Sequence, residues 1–463
     1  MERKPFRAIF PLFLLSFQIP ALGLSQQSYN IMNSVQAAAS SSPVLTLDEA
    51  VKAAEANNRD IRIAHLEREK ALNQVRVART YRWPSFSLTA LGTQPLTRLG
   101  LTFERGALGV FPGIGPIPAV NTTLRSPTGL AGLAFANLAQ PLSQQYKIGM
   151  TIETARVGVN AADEGIRLKR QSTMAEVRRL YYGIVQTESG RESLQQTIDF
   201  LKELDRDTNQ DVVQRVALQA DSLSVKAQLA KAEYELLKLD DPLQTQKQQL
   251  NRLMGRDVDM PFDVDPSTAT NFELPQLQDA YAKATQLRPE IRLAKLQLRK
   301  AELDRKIKKA ERIPDVSLSG TSLATSNFSN ALPSRLGGVG LQLNWDVYDW
   351  GRKRKEMDER RETEEQAALQ LKEVEATVMI DVSHQYRRLL EARKEVEVAK
   401  SFQSAAWELL RVTKNRYTQH QALLSDALKA QSSLGEANYQ YTQALANLAT
   451  IQADFERAVG EDQ

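Results

Sequence analysis

The 463-residue chain contains no cysteine. Disulfides, thiolate metal sites and a lipid-modified cysteine are therefore excluded. Histidine is nearly as scarce. His65, His384 and His420 are far apart and lack metal-ligand spacing, so neither a metal site nor a cofactor is expected. Aromatics make up only 6% of the chain against 25% charged residues, few for wide globular cores. The formal net charge is just +4, and no basic block marks a nucleic-acid partner. Beyond residue 24 there is no 18-residue apolar run and hence no later transmembrane helix. Glycine-rich phosphate loops, paired-acid motifs and nucleophile motifs are missing too, which speaks against an enzyme.

What abounds is Ala, Gln, Leu, Glu, Lys and Arg, the composition of long helices. At the N-terminus, Glu2, Arg3, Lys4 and Arg7 give a net positive start. The apolar stretch Ala8 to Leu24 follows, interrupted by Pro11 and Pro20. Residues 1–24 read as a signal peptide, with cleavage near 21–23 or as late as 37–39.

The sharpest strand signal is GVGLQLNWDVYDW, residues 338–350. Val339, Leu341, Leu343, Trp345 and Val347 alternate with Gly338, Gly340, Gln342, Asn344 and Asp346, giving one apolar and one polar wall. A half-buried soluble strand shows this pattern, and so does a strand of a membrane barrel. The chain then turns helical in pattern for more than about 60 residues, and a compact globular domain has no place for that join.

The sequence is also duplicated. Ala50, Ile61, Arg62, Arg82 and Pro84 recur 230 positions later as Ala280, Ile291, Arg292, Arg312 and Pro314 (314 − 84 = 230). Asp221, Leu229, Tyr234 and Gly255 recur at an offset of 205 as Asp426, Leu434, Tyr439 and Gly460 (460 − 255 = 205). The first copy thus carries an insertion, assigned to the loop-rich stretch 92–129. The two units span 45–256 and 272–460.

Each unit reads as a short helix, a longer helix, two strands and a long helical hairpin. Thr46 and Glu49 form a capping box for the first helix. The return strands are read at 130–142 and 339–347, and RGALGVFPGIGPIPAV (105–120) is expected to be irregular loop. Apolar residues recur by fours and threes, as in Ala427, Ala430, Leu434, Ala437, Tyr441 and Ala444, a heptad seam of paired helices. Both helices of each hairpin are expected to run for about 60 residues, or on the order of 90 Å. Breaks near 207–219 and 415–424 mark the tips, and Pro242 should bend or interrupt its helix.

In this order and spacing, several stretches resemble the TolC-like outer-membrane efflux protein family. They are LTLDEAVKAAEANNRDIRIA (45–64), Pro84 and Pro314, LNWDVYDWGRKR (343–354), ADSLSVKAQLAKAEYELLKL (220–239), LNRLMGRD (250–257) and SDALKAQSSLGEANYQYTQALANL (425–448). The resemblance implies a mainly α fold with a small transmembrane β part. Duplicated coiled-coil hairpins and four strands per chain would build a homotrimer, with a helical tunnel and a shared twelve-stranded barrel. It implies a location in the outer membrane, with helices in the periplasm. The implied activity is passive export of small molecules, drugs, toxic compounds or metal ions, received from a periplasmic adaptor and an inner-membrane transporter. A protein-secretion duct, or a periplasmic or secreted coiled-coil scaffold without a barrel, are the alternatives.

Family tips often read Tyr-x-x-Gly-x-x-Ser-x-x-Asp. Here they read Tyr417, His420, Leu423, Asp426 and Val212, Arg215, Leu218, Asp221, so the glycines and serines are replaced. The resemblance places the pore entrance at Tyr417, His420, Arg215, Asp221 and Asp426. The two aspartates would either form acidic rings or simply favour the positive ends of their helices. Trp345, Tyr348 and Trp350 would form an aromatic belt against outer-membrane lipid, or else pack on a neighbouring helix.

Overall fold

The computed structural model describes residues 43–94, 96–97, 100–125, 129–215, 218–265, 275–327, 333–419 and 421–461. The expected signal peptide, up to the later cleavage position, lies outside them.

β1 (Val44–Leu45) leads into α1 (Leu47–Asn57) and α2 (Arg59–Thr80). Glu49 N–H donates to the Thr46 hydroxyl at 3.3 Å, and Thr46 N–H donates to Glu49 Oε2 at 3.0 Å, completing the capping box. β2 (Ser85–Thr93) follows. Then come β3 (Gly100–Phe103), β4 (Val110–Phe111), β5 (Gly115–Pro116), β6 (Thr122–Arg125) and β7 (Ala131–Pro141). α3 (Gln145–Val213) and α4 (Gln219–Leu253) form the first hairpin, and β8 (Asp263–Val264) pairs in parallel with β1. The second copy comprises α5 (Leu277–Leu287), α6 (Pro289–Ala310), β9 (Asp315–Ser326), β10 (Arg335–Asn344), α7 (Arg352–Thr418) and α8 (Leu424–Val459).

Helix boundaries keep the sequence offsets. α5 and α6 start 230 positions after α1 and α2 (277 − 47, 289 − 59), and α8 starts 205 after α4 (424 − 219).

Four expectations are corrected. The stretch 105–120 is not simply irregular, because β4 pairs with β5 inside it and β3 pairs with β6 on its two flanks. The insertion is thus a jointed hairpin extending the β2–β7 pair. Second, only α3 and α7, at 69 and 67 residues, are very long, whereas α4 and α8 have 35 and 36. α2 and α6 cover the rest of α3 and α7. Third, α4 runs unbroken through Pro242, which lies on its exposed side, where water can serve the carbonyl left without a donor. Pro242→Ala is expected to stabilise the chain by about 1–3 kcal/mol, read as a higher melting temperature in detergent. Fourth, the last strand ends at Asn344, so Trp345 and Val347 lie beyond it.

The sheet order is β10-β9-β7-β2, all antiparallel. The helices repeat that order. α3 packs between α2 and α6 along its first part and between α4 and α8 along its second; α7 packs on α6 and then α8. One edge of the chain is therefore β2, α2 and α4. The other is β10 and α7.

Apolar seams hold the helices. Ile148, Ile152 and Val159 meet Val75 and Ala78, and Ile198, Leu201 and Ala232 close α3 on α4. Phe455, Leu389 and Val382 anchor α8 to α7, with Ala280, Ala284 and Ile291 packed alongside. At the joint between each short helix pair and its hairpin the copies use different chemistry. Asn58 donates to the Leu253 carbonyl at 2.8 Å while its Oδ1 accepts from the Asp60 and Ile61 amides. The corresponding Arg288 is buried, pairs with Glu290 (2.9 Å) and Asp381 (3.0 Å), and donates to the Arg457 carbonyl at 3.3 Å.

Candidate functional site

The ladder register assigns every strand residue to a face. Phe86 lies opposite Leu138, Leu138 opposite Gly320, and Gly320 opposite Val339. With Leu318, Leu341 and Leu343, these build one apolar wall. The other wall carries Ser85, Ser87, Asn137, Ser319, Thr321, Gln342 and Asn344. Among the described residues nothing covers the apolar side of β10, where Val339, Leu341 and Leu343 are all exposed. Apolar residues facing outward and polar residues inward are the pattern of a lipid-embedded barrel wall. Both edge strands, β2 and β10, leave backbone groups without a partner strand, and such groups are not tolerated in lipid.

At the foot of this wall stand the expected aromatics. Trp345 and Tyr348 are exposed, and Trp350 is 88% exposed. The Tyr348 and Trp350 rings meet edge-on, with centroids 4.9 Å apart. Asp349 shapes this turn by accepting from the Gly351 and Lys353 amides at 3.1 and 3.0 Å. Trp350 is thereby held at φ 55, left-handed backbone for a non-glycine residue. Sequence reading missed three more exposed aromatics of the first copy, Tyr81 and Trp83 between α2 and β2 and Tyr146 where β7 gives way to α3. Their position beside Pro84 and the first return strand was the available signal.

The tips lie at the opposite ends of α3 and α7. Arg215 takes the turn at φ 61. Asp221 is half-buried and accepts from the Leu218 amide at 3.2 Å, so it closes the first turn of α4. Asp426 holds the same place on α8 and is exposed. Tyr417 comes from the other hairpin. Burial raises its phenol above the usual value, and the carboxylates of Asp211, Asp207 and Asp221 push the same way. The structure therefore brings Tyr417 and Asp221 into one neighbourhood. His420 lies outside the described residues. Lys414 ties the hairpins, with Nζ 3.3 Å from Glu203 and 5.7 Å from the centre of the Phe200 ring. Among the described residues no cluster could hold a metal ion, and no helix is long and apolar enough to cross a membrane.

Paired helices of this length, continued by an open-edged sheet with one lipid-type face, define a segment of an outer-membrane channel. The chain belongs to the outer membrane efflux protein family, whose model matches residues 50–256 and 280–461. No curated protein matches it. Solved structures share its fold. A membrane protein from Pseudomonas aeruginosa is 19% identical with a TM-score of 0.74, covering 91% of both chains. The outer membrane protein VceC from Vibrio cholerae is 16% identical, with a TM-score of 0.71 over 89% of this chain and 96% of that one. The Campylobacter jejuni CmeC outer membrane channel is 15% identical, with a TM-score of 0.73 over 95% of this chain and 94% of that one. The chain is accordingly a channel of the outer membrane with a periplasmic helical part, not an enzyme.

Proposed function

We propose that three copies close edge to edge into a twelve-stranded barrel and a continuous helical tunnel. Through it, small molecules handed over by a periplasmic adaptor and an inner-membrane pump leave the cell. The carrying observation is that each open edge repeats a junction already made inside the chain. α3 meets α8 through Ser189 and Thr442 (hydroxyls 3.0 Å apart), Gln186 and Tyr439 (3.4 Å), and Thr197 and Gln431 (3.4 Å). Shifted by 205 positions, those on α3 become Lys394, Glu391 and Phe402 on the free side of α7, and those on α8 become Leu237, Tyr234 and Lys226 on α4. Phe402 is 62%, Tyr234 60% and Leu237 67% exposed in the single chain, large apolar residues awaiting a partner.

The sheet behaves alike. β7 pairs with β9 so that Leu138 faces Gly320 and Gln140 faces Leu318. The same offsets bring Leu343 of β10 opposite Ala90 of the next chain and Trp345 opposite Leu88. Trp345 then extends the strand and points to lipid. It joins Tyr348 and Trp350 in an aromatic belt at the periplasmic side of the membrane.

At the tips, Asp221 and Asp426 with Asp207 and Asp211 make the entrance acidic and favour cations. Asp221→Asn with Asp426→Asn keeps an oxygen to accept the Leu218 amide while removing charge. The cation-to-anion permeability ratio should fall by roughly twofold or more, measured from reversal potentials in salt gradients.

The reading as a whole is tested by reconstituting the purified chain in planar bilayers while measuring its mass in detergent. A trimer with discrete conductance steps supports it; a water-soluble monomer without conductance overturns it.

A further inference from the structure

The apolar side of the sheet inverts near its outer end. On the membrane side of this point the lipid-facing wall is apolar, with Phe86, Leu88, Leu138, Val339 and Leu341. Beyond it the same wall becomes small and polar, with Ala134 and Ala324 in line with Arg335, and Gly132 opposite Ser326. At that level the lumen wall changes the other way. Phe135 faces Leu323, Leu323 faces Leu336, and Leu91 faces Leu133 one row further out. No bulge intervenes, since the β7–β9 and β9–β10 ladders run without a skipped residue. The inversion is therefore written in the sequence rather than produced by a slip of register.

A water-filled barrel is lined by polar residues. A ring of Phe and Leu on the lumen side has to be covered by something apolar, or it faces water at a cost of roughly 25 cal/mol per Å². The connection between β9 and β10 at this end is short. The other connection carries the jointed hairpin β3–β6, which rises from β2 and β7, the strands bearing Leu91, Leu133 and Phe135. That hairpin is itself amphipathic. Leu101, Phe103 and Leu124 share one side, while Thr102 and Thr123 share the other, their hydroxyls 3.0 Å apart. Its distal part adds exposed Val110, Phe111 and Ile114, and the only charged residues in 100–125 are Glu104, Arg105 and Arg125. One apolar surface thus lies on the inner wall and another on the connection between the strands that form it.

We propose that the three hairpins of the trimer fold over the outer mouth, and that their apolar sides sit on the collar formed by Phe135, Leu323 and Leu336. The exit is then narrowed at its outer end. The assignment rests on the trimeric barrel proposed above.

The absence of cysteine makes the test direct, because introduced thiols have no competitors. Phe111→Cys with Leu336→Cys should cross-link on oxidation in membrane-embedded trimers. Reduction should then raise single-channel conductance. Phe111→Cys with Leu341→Cys, on the lipid wall, should not cross-link. Independently, Phe135→Ser with Leu323→Ser and Leu336→Ser should raise conductance about twofold or more, because the hairpins lose their seat. Conducting trimers in which Leu336→Cys fails to cross-link, or in which the lipid-wall pair cross-links instead, overturn the proposal. So does a serine variant that conducts like the unsubstituted channel. If the unsubstituted chain forms no pore at all, the trimeric duct fails first and takes the collar with it.

Discussion

Leu223→Glu with Leu237→Glu on α4 is expected to abolish the trimer and with it all conductance. Both leucines stand on the open edge, exposed in the single chain. Their counterparts 205 positions on, Leu428 and Thr442, are packed against α3. Burying a leucine contributes about 1.5–3 kcal/mol, and six would be buried per trimer. Glutamate removes that contribution and forces a carboxylate into the closed seam, where its loss of water costs more than the single Lys394 facing position 237 returns. Mass measurement in detergent should show a monomer with intact helical content. Leu223→Met with Leu237→Met should remain trimeric, because methionine preserves volume and apolarity. A trimer that survives both glutamates would mean that the chains do not meet along α4, and the edge-to-edge closure would have to be abandoned.

The second large effect is expected at two glycines. Gly255 and Gly460 follow α4 and α8, 205 positions apart, with φ of 69 and 85. Each turns the chain against the joint of the preceding short helix pair. A Cβ on Gly255 would lie 2.5 Å from the Asn57 carbonyl oxygen, and one on Gly460 would lie 2.9 Å from the Arg288 amide nitrogen. These are backbone atoms, fixed by helix caps, and cannot move aside. Left-handed backbone costs a non-glycine residue about 1–3 kcal/mol, and the clash adds a similar amount. Gly255→Ala should therefore lower stability by roughly 2–4 kcal/mol. Gly113, equally left-handed at φ 85 but in open space, should lose only the backbone part on substitution. Melting curves of the three variants separate strain from contact. Equal losses at all three sites would remove the role given to the joint.

The two copies also diverge instructively at that joint. Asn58 satisfies the end of α4 with a neutral amide, whereas Arg288 does so with a buried guanidinium held by two carboxylates. The backbone geometry is shared, and the side-chain solution is not. A duplicated fold constrains the helix end that must be met, not the donor or the carbonyl, since Asn58 meets Leu253 at the end of α4 and Arg288 meets Arg457 at the end of α8.

Much was legible in the chain itself. Helix starts and stops, the capping box at Thr46, the offsets of 230 and 205 and the tip positions all follow from local chemistry and self-similarity, which need no partner. The alternation in 338–344 likewise specified two walls. Other features depended on which segments came together. The alternation could not show which wall meets lipid, since a soluble sheet reads the same; β10 had to be seen bare on its apolar side. The insertion read as loop because its ladders are two to four residues long and interrupted by glycine and proline, too short for any period to show. The register sets Leu133 beside Leu91 and Phe135 beside Leu323, pairings that no single strand's pattern shows. Pro242 signalled a break that its place on the exposed side made unnecessary. Periodicity fixes what each residue is on its own element, because that is a property of a few neighbours. Which faces are covered and which remain open is set by pairings such as that of Ser189 with Thr442, 253 positions apart, and only the folded chain holds those.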